Sequence, residues 1–408
     1  MGLAAGKRKT AHAAPRSRAR TLVLRGMSVA LGLLVAVVVL EAAQWALGLE
    51  PPKLRTKRHL RSHSGLRADY HCYASNPNLE FQPTPAVSKG TWELRTFMLK
   101  AATLPLERLA ETPWCVEYRY SKNNLRDRNY ETLPAPGVLR IAAVGDSFTF
   151  GEGVPIDLTL FRQLERLLAP RVEVLNGGRP GFDTLREIGV LSDLAANANC
   201  RRALVVFVPN DIELSDELAK RQTYINDLIN IRDEYLEERQ SRAWYAHGSA
   251  ILQYLGSQWE MRRIAQETIQ WYLDSYELEH NGENLRRLEE HLRQMANMPR
   301  CRVALVLYPL IEGLERDYPL APIHRCVAEM ARRVGLPVLD LAPAFTGHTT
   351  PSLQVHPTDH HPNGTAHKIA AEAIVDWLRR DLPWFLKLAP DEEPGRAFTP
   401  DMLEENGP

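Results

Sequence analysis

The sequence predicts a three-layer α/β/α sandwich around a central parallel sheet, preceded by a transmembrane helix. Three observations lead there. From residue 139 onward, short apolar runs alternate with helix-patterned segments, the order in which βα units feed a parallel sheet. Those runs are apolar at successive positions, as strands covered on both faces must be. Ahead of them, residues 26–49 form one long apolar stretch.

The apolar stretch contains only Glu41 and Gln44 as strongly polar members, and its centre is uncharged and rich in Val and Leu. As a helix, 24 residues would span about 36 Å, enough for a hydrocarbon core of roughly 30 Å. Residues 1–25 carry Lys7, Arg8, Lys9, Arg16, Arg18, Arg20 and Arg25 and no acid. Such a flank stays in the cytoplasm and sends the C-terminal bulk across the membrane; Trp45 suits the far interface. The expectation is a retained single-pass anchor. A cleaved signal peptide would have a shorter apolar region and a small-x-small cleavage site after it, and a buried or amphipathic helix is the remaining alternative. The expected location is the inner (cytoplasmic) membrane with the body on the extracytoplasmic side, the periplasm if the host is Gram-negative. Over the whole chain, 50 Lys and Arg balance 50 Asp and Glu. That balance argues against nucleic acid as a partner, since such binders concentrate positive charge.

Residues 50–70 are polar and basic and read as a juxtamembrane linker. Residues 71–136 read as an extension with little core of its own, packed on the main domain, with an extended piece at 114–120. Strands are expected at 139–144, 172–175, 202–208, 302–308 and 337–341, and helices at 161–168, 185–196, 321–334 and 364–382. In the last helix Ile369, Ala373, Ile374 and Trp377 share an apolar face. Residues 213–298 have few glycines and many Leu, Glu, Arg and Gln, and read as a helical insertion. The expected division is a basic tail at 1–25, an anchor at 26–49, linker and extension at 50–136, the main domain at 137–386, and a loose charged tail at 387–408. None of Cys72, Cys115, Cys200, Cys301 and Cys326 forms a CxxC pair, which argues against a zinc ribbon.

In open parallel sheets the working groups gather beyond the carboxyl ends of the strands. Four segments fall there: Gly145-Asp146-Ser147, the glycine-rich loop at 176–184, Pro209-Asn210-Asp211, and residues 359–363 with Asp359, His360 and His361. Each alone has an ordinary structural reading as turn, cap or surface residue. Together, GDSFTFGEG, NGGRPGFDT, VPND and DHHPN resemble the ordered blocks of the SGNH (GDSL-like) hydrolase family, across roughly residues 137–382 with the insertion intervening. Two departures are visible. Pro209 stands where many members have glycine, and the acid and histidine are spaced Asp-x-His, as in some branches, instead of the commoner Asp-x-x-His.

The resemblance implies a flavodoxin-like sheet and a membrane-anchored serine esterase, lipase or O-acyltransferase. It makes Ser147 the nucleophile, His361 its base and Asp359 the acid that fixes the imidazole tautomer, with His360 the alternative base. The oxyanion hole would comprise the backbone N–H groups of Ser147 and Gly181 and the side-chain amide of Asn210. Each such donor typically contributes about 3 kcal/mol of transition-state stabilisation. Asp146 reads as a structural helper of its turn. His356, Asp359, His360, His361 and His367 lie close in sequence, but adjacent histidines do not easily face one ion; no metal and no cofactor are expected. The expected substrate is an acylated carbohydrate or lipid of the envelope, O-acetyl esters by preference, cleaved by water. The alternatives are transfer to a sugar hydroxyl, which would need an envelope partner protein or an exported donor, and a non-catalytic scaffold. The family's sheet would also put Cys200 and Cys301 at the same edge of neighbouring strands, within disulfide reach; Cys72–Cys115 is a second pairing, suggested by their shared region. The insertion is expected to overhang the site or to serve as a structural annex.

Overall fold

The computed structural model describes residues 18–46, 57–61, 68–73, 81–83, 97–99, 115–121, 123, 125–229, 250–315, 317–356 and 359–388. The chain divides into two compact units, residues 1–53 with 234–262, and residues 54–233 with 263–408.

The first unit contains helix α1 (Arg18–Ala46). Its stretch Leu22–Ala43 has a mean hydropathy of 2.4 and none of it is buried. Twenty-two residues rise about 33 Å as a helix, so α1 is long and apolar enough to cross a membrane. The helix starts eight residues earlier than the expected anchor and takes in Arg18, Arg20 and Arg25.

The second unit is built on a five-stranded parallel sheet of β6 (Leu139–Gly145), β7 (Val172–Gly178), β8 (Arg202–Phe207), β9 (Arg302–Leu307) and β10 (Val338–Asp340), in the order β10-β9-β8-β6-β7. The order reverses at β6, where the first crossover runs to one side and the next to the other. The crevice beyond such a switch is where ligands bind in sheets of this type. All residues of β6 and β8 are buried, so continuous apolar runs were the right sign of strands covered on both faces. Helices α2 (Ser147–Phe150), α3 (Leu160–Leu168), α4 (Thr184–Asn197), α5 (Asp216–Ile229), α6 (Ala250–Asp274, of which residues 250–262 belong to the first unit), α7 (Leu278–Ala296), α8 (Ala321–Arg333) and α9 (Gly364–Asp381) follow in chain order. Helices α3 and α9 pack on each other; α7 packs against α4 and α8.

The helix ends are written in the sequence. Asp146, Asp183 and Asn363 cap α2, α4 and α9 by accepting from backbone N–H groups of the first turn, satisfying donors that have no partner inside the helix. In α9, Ile374 and Trp377 are buried with Ala366, His367, Ala370, Ala371, Val375 and Leu378, while Ile369 and Ala373 are only partly covered. The buried stripe is thus rotated slightly from the expected one. Cutting Ile374 to Ala would cost about 2–5 kcal/mol.

The antiparallel strands β1 (Lys57–Arg61), β2 (Ala68–Tyr73) and β5 (Cys115–Arg119) form a second sheet, and β3 (Phe81–Pro83) pairs with β4 (Phe97–Leu99). Strand β1 and the start of β2 lie in the stretch read as linker. Lys57-Arg58-His59-Leu60-Arg61 has no apolar alternation to announce a strand; its pairing with β2 supplies it. The 126–127 segment docks on the main sheet: Asp127 accepts from the Asn176 backbone N–H at 3.0 Å and pairs with Arg162, and Asn176 Nδ2 donates to the Arg126 carbonyl at 3.0 Å.

The expected Cys200–Cys301 disulfide is not formed. Arg202 pairs with Arg302 in the parallel register, so Cys200 is level with Arg300, and Cys301 with Arg201. That one-residue offset turns the two side chains to opposite faces of the pleat. Cys200 keeps its thiol in the core, and burial pushes its pKa up. The loose tail expected at 387–408 lies, from residue 389, outside the described residues.

Candidate active site

Strand β6 delivers Ser147 to the mouth of the sheet through a turn that only small residues allow. A Cβ on Gly145 would lie 2.7 Å from the Val206 carbonyl oxygen, and one on Gly178 would lie 2.1 Å from the Phe150 backbone nitrogen. Glycine at both places lets α2 pack directly on the ends of β6 and β7. Asp146 then holds three pieces together. Its Oδ1 accepts from the Phe148 N–H at 2.8 Å, and its Oδ2 accepts from Asn210 Nδ2 at 2.9 Å and lies 3.4 Å from Ser147 Oγ.

His361 reaches the same point from the short strand β12 (Asp359–Pro362), just before Asn363 caps α9. Its Nε2 lies 2.8 Å from Ser147 Oγ. The ring is held between Phe148, at 5.4 Å, and His360, stacked at 5.3 Å and 15°. His361, and not its neighbour His360, is therefore the histidine hydrogen-bonded to Ser147. The Asp359 backbone is paired opposite His356 in the strand β11 (Gln354–His356); its side chain lies outside the described atoms. The last histidine of the run, His367, is fully buried beside the Tyr308 ring, and burial lowers its pKa to about 3. It is a neutral core residue, directed away from the solvent.

The loop with Gly181 follows β7. Gly181 has φ +74°, a left-handed conformation that glycine adopts without strain, and its position is exposed. Asn210 follows β8 in a tight loop. Asp211 closes that loop, its Oδ2 accepting from the Val208 N–H at 2.6 Å and its carbonyl from the N–H and hydroxyl of Thr184, each at 2.9 Å. The Pro209 carbonyl accepts from the Tyr276 hydroxyl at 3.0 Å. The root of the insertion thus braces the loop where this chain has proline in place of glycine.

Several residues of the site were not singled out from the sequence. Glu152 is buried, and its Oε2 lies 3.5 Å from His361 Nε2. Arg126 is wholly buried; it donates to the carbonyls of Phe150, Gly151 and Val154 and stacks on the rings of Tyr118 and Phe150. It fixes the loop that carries Glu152. Burial lowers its pKa to about 10, still charged at neutral pH. Asp146, Glu187 and Asp211 form a buried acidic group behind the loops. Burial raises all three carboxyl pKa values, those of Glu187 and Asp211 far above the usual range, and the neighbouring carboxylates add to the effect. Glu187 was legible in one respect: Thr184, Glu187, Leu191 and Leu194 recur at helical spacing and are the buried face of α4, so an acid stands in an apolar stripe.

Residues 143–369 match the GDSL-like lipase/acylhydrolase family. The chain belongs to that family. With a serine and a histidine in hydrogen-bond contact at the family's sheet edge, this GDSL-like protein is a serine hydrolase acting on ester bonds. No curated protein matches it. Among solved structures, it is similar to a lipase/acylhydrolase from Enterococcus faecalis at 17% identity, over 59% of this chain and 96% of that one, with a TM-score of 0.34. A two-domain esterase active on acetylated mannans matches at 14% identity, over 64% of this chain and 52% of that one, with a TM-score of 0.35. An alpha/beta hydrolase from the metagenome of Lake Arreo, Spain, matches at 15% identity, over 61% and 97%, with a TM-score of 0.34.

Proposed function

We propose that this GDSL-like hydrolase removes small O-acyl groups, acetyl by preference, from a glycan or lipid of the cell envelope. The observation that carries the reading is the 2.8 Å contact between Ser147 Oγ and His361 Nε2. A serine hydroxyl is a weak nucleophile until a base takes its proton, and neutral imidazole does so near neutral pH. Ser147 attacks the ester carbonyl while Nε2 receives its proton; Nε2 then protonates the departing alcohol. Water repeats the sequence on the acyl-enzyme. Asp359 accepts the other ring N–H and steadies the imidazolium.

The negative charge on the carbonyl oxygen is met by the N–H groups of Ser147 and Gly181 and by the Asn210 amide. One hydrogen of that amide is given to Asp146, which leaves the second for the substrate and fixes the direction in which it points. Preorganised donors of this kind are effective because they need not turn as charge develops.

Helix α1 has its basic residues Arg18, Arg20 and Arg25 at the N-terminal end. They hold that end in the cytoplasm and leave the hydrolase on the extracytoplasmic side of the inner membrane, tethered among acylated envelope polymers and lipids. Transfer to a sugar hydroxyl would use the same residues but would require an acyl donor brought across by another protein.

The test is release of acid from a panel of O-acetylated envelope glycans and short-chain lipid esters by the full-length protein in detergent. Acetate release that is lost in Ser147→Ala supports the reading. Activity confined to long-chain lipid esters, or equal in Ser147→Ala, contradicts it.

A further inference from the structure

Return of the proton to the departing alcohol fixes where that alcohol lies. Its oxygen must come within about 2.6–3.2 Å of His361 Nε2, and Nε2 has Glu152 Oε2 beside it at 3.5 Å. The carboxyl group of Glu152 therefore borders the alcohol half of the ester, and no step of the hydrolysis uses it. It is reached from outside about as readily as the catalytic pair: Glu152 is 7% exposed, Ser147 9% and His361 8%. Its position is not loose. The Glu152 N–H donates to the Ser147 carbonyl at 3.1 Å, the Gly153 N–H donates to the Tyr118 hydroxyl at 2.6 Å, and Arg126 holds the carbonyls of Phe150, Gly151 and Val154 around it.

We infer that Glu152 selects esters whose alcohol carries a free hydroxyl on the carbon next to the ester-bearing one. The substrate class is then a partly acylated polyol, such as a sugar with an unesterified hydroxyl beside the acylated one. The inference rests on the proposed Ser147 reaction. A carboxylate has two oxygens and about four acceptor positions, so Glu152 accepts from a substrate hydroxyl in addition to its contacts within the protein. A hydroxyl gauche to the ester oxygen stands about one hydrogen-bond length from it, so an ester oxygen lodged at Nε2 sets that hydroxyl within reach of Oε2. An alkyl group in the same place makes no such bond, and a neighbouring carboxylate or phosphate is repelled. An acyl group on the neighbouring oxygen removes the donor as well, so fully acylated polyols are the poorer substrates. The bond is made with the alcohol whether it leaves or attacks, and for a given alcohol it favours both directions alike.

The experiment measures kcat/KM of the full-length protein in detergent on 2-hydroxyethyl acetate, on propyl acetate, in which a methyl replaces the hydroxyl, and on 2-methoxyethyl acetate, in which the hydroxyl is capped. Each value is divided by the rate of alkaline hydrolysis of the same ester, which removes the difference between leaving groups. The expected result is a preference of about tenfold for the hydroxy ester over either of the others, the factor of one hydrogen bond to a charged group. In Glu152→Leu the preference should be lost. A purely structural role would slow all the esters alike and leave the ratios unchanged. No preference in the native protein, or a preference that survives in Glu152→Leu, overturns the role of Glu152 and leaves the esterase reading intact. Hydrolysis of none of these esters, or hydrolysis equal in Ser147→Ala, overturns both. If Glu152→Leu does not fold, Glu152→Gln decides: it keeps the shape and loses the charge, and ratios equal to the native ones reject the inference.

Discussion

Two buried polar networks serve Ser147, and they are built in opposite ways. One is centred on a cation. Arg126 is fully buried, yet two of its nitrogens donate to three backbone carbonyls and its face lies on two aromatic rings. The other is centred on acids. Asp146, Glu187 and Asp211 are each 0% exposed, and among the described residues both oxygens of Glu187 and Oδ1 of Asp211 have no hydrogen-bond partner. A buried charge is tolerable when donors or acceptors surround it; otherwise the group gives up the charge. The arginine network keeps its charge and uses it to clamp a loop. The acidic network has its carboxyl pKa values raised by burial, which pushes it toward the protonated, neutral form.

Breaking the cationic network should have the largest effect. Arg126→Met removes the arginine donors from three carbonyls, of which that of Phe150 keeps Asn176 Nδ2 and that of Gly151 keeps the Val154 N–H, and we expect a loss of about 3–5 kcal/mol in denaturant unfolding. Ester hydrolysis should fall with it, because the loop around Glu152 is no longer held. Arg126→Lys, which retains the charge but not the fork of donors, should fall between the two.

The acidic network should respond in the opposite direction. Unfolded, Glu187 and Asp211 ionise in the ordinary carboxylate range, about pH 4; folded, they hold their protons to higher pH. Between those limits the folded state binds more protons than the unfolded one, so this contribution to stability is whole below about pH 4 and is lost as pH rises. Glu187→Gln fixes the neutral form. It should raise the melting temperature by several degrees at about pH 8 and by little at about pH 4.5. Equal shifts at both pH values would show that Glu187 is ionised in the fold.

A smaller effect is expected where the insertion meets the oxyanion loop. Tyr276→Phe removes the hydroxyl that the Pro209 carbonyl accepts and should lower kcat by about fivefold, the value of one neutral hydrogen bond, with KM unchanged. The smallest concerns the sheet that leads into Arg126. Cys72 stands directly opposite Cys115 in the antiparallel β2–β5 pair, and Cα atoms so placed are about 4.5–5.5 Å apart, inside the range of a disulfide. Non-reducing peptide mapping should find this pair linked and Cys200 alkylated as a thiol. Reduction should change the hydrolysis rate by less than about twofold.

The contrast also explains what could be read from the sequence. The strands of the main sheet announced themselves because parallel strands covered on both faces are mostly apolar. Ser147 and His361, which lie in hydrogen-bond contact, could be singled out because each follows or precedes such an element within a few residues. Arg126 was not: a residue in a segment without periodicity gives no sign that it will be buried against a loop 24 positions away. Glu152 lay in plain view within GDSFTFGEG, but its nearness to Nε2 depends on the turn of α2 and on the arrival of His361 from 209 residues downstream. The cysteine pairing failed on a one-residue register offset: Arg202 is level with Arg302, and Cys200 stands two residues before its strand where Cys301 stands one. In each case the missing information was a tertiary contact, and local pattern carries none.

The central claim is that Ser147 is a nucleophile activated by His361, and covalent labelling tests it most directly. Full-length protein in detergent is treated with a fluorophosphonate, and the adduct is located by peptide mass spectrometry. The account predicts one phosphonyl group per chain on Ser147, lost in Ser147→Ala and slowed by about a thousandfold or more in His361→Ala. Labelling of a different serine, or labelling of Ser147 at the same rate without His361, would contradict it.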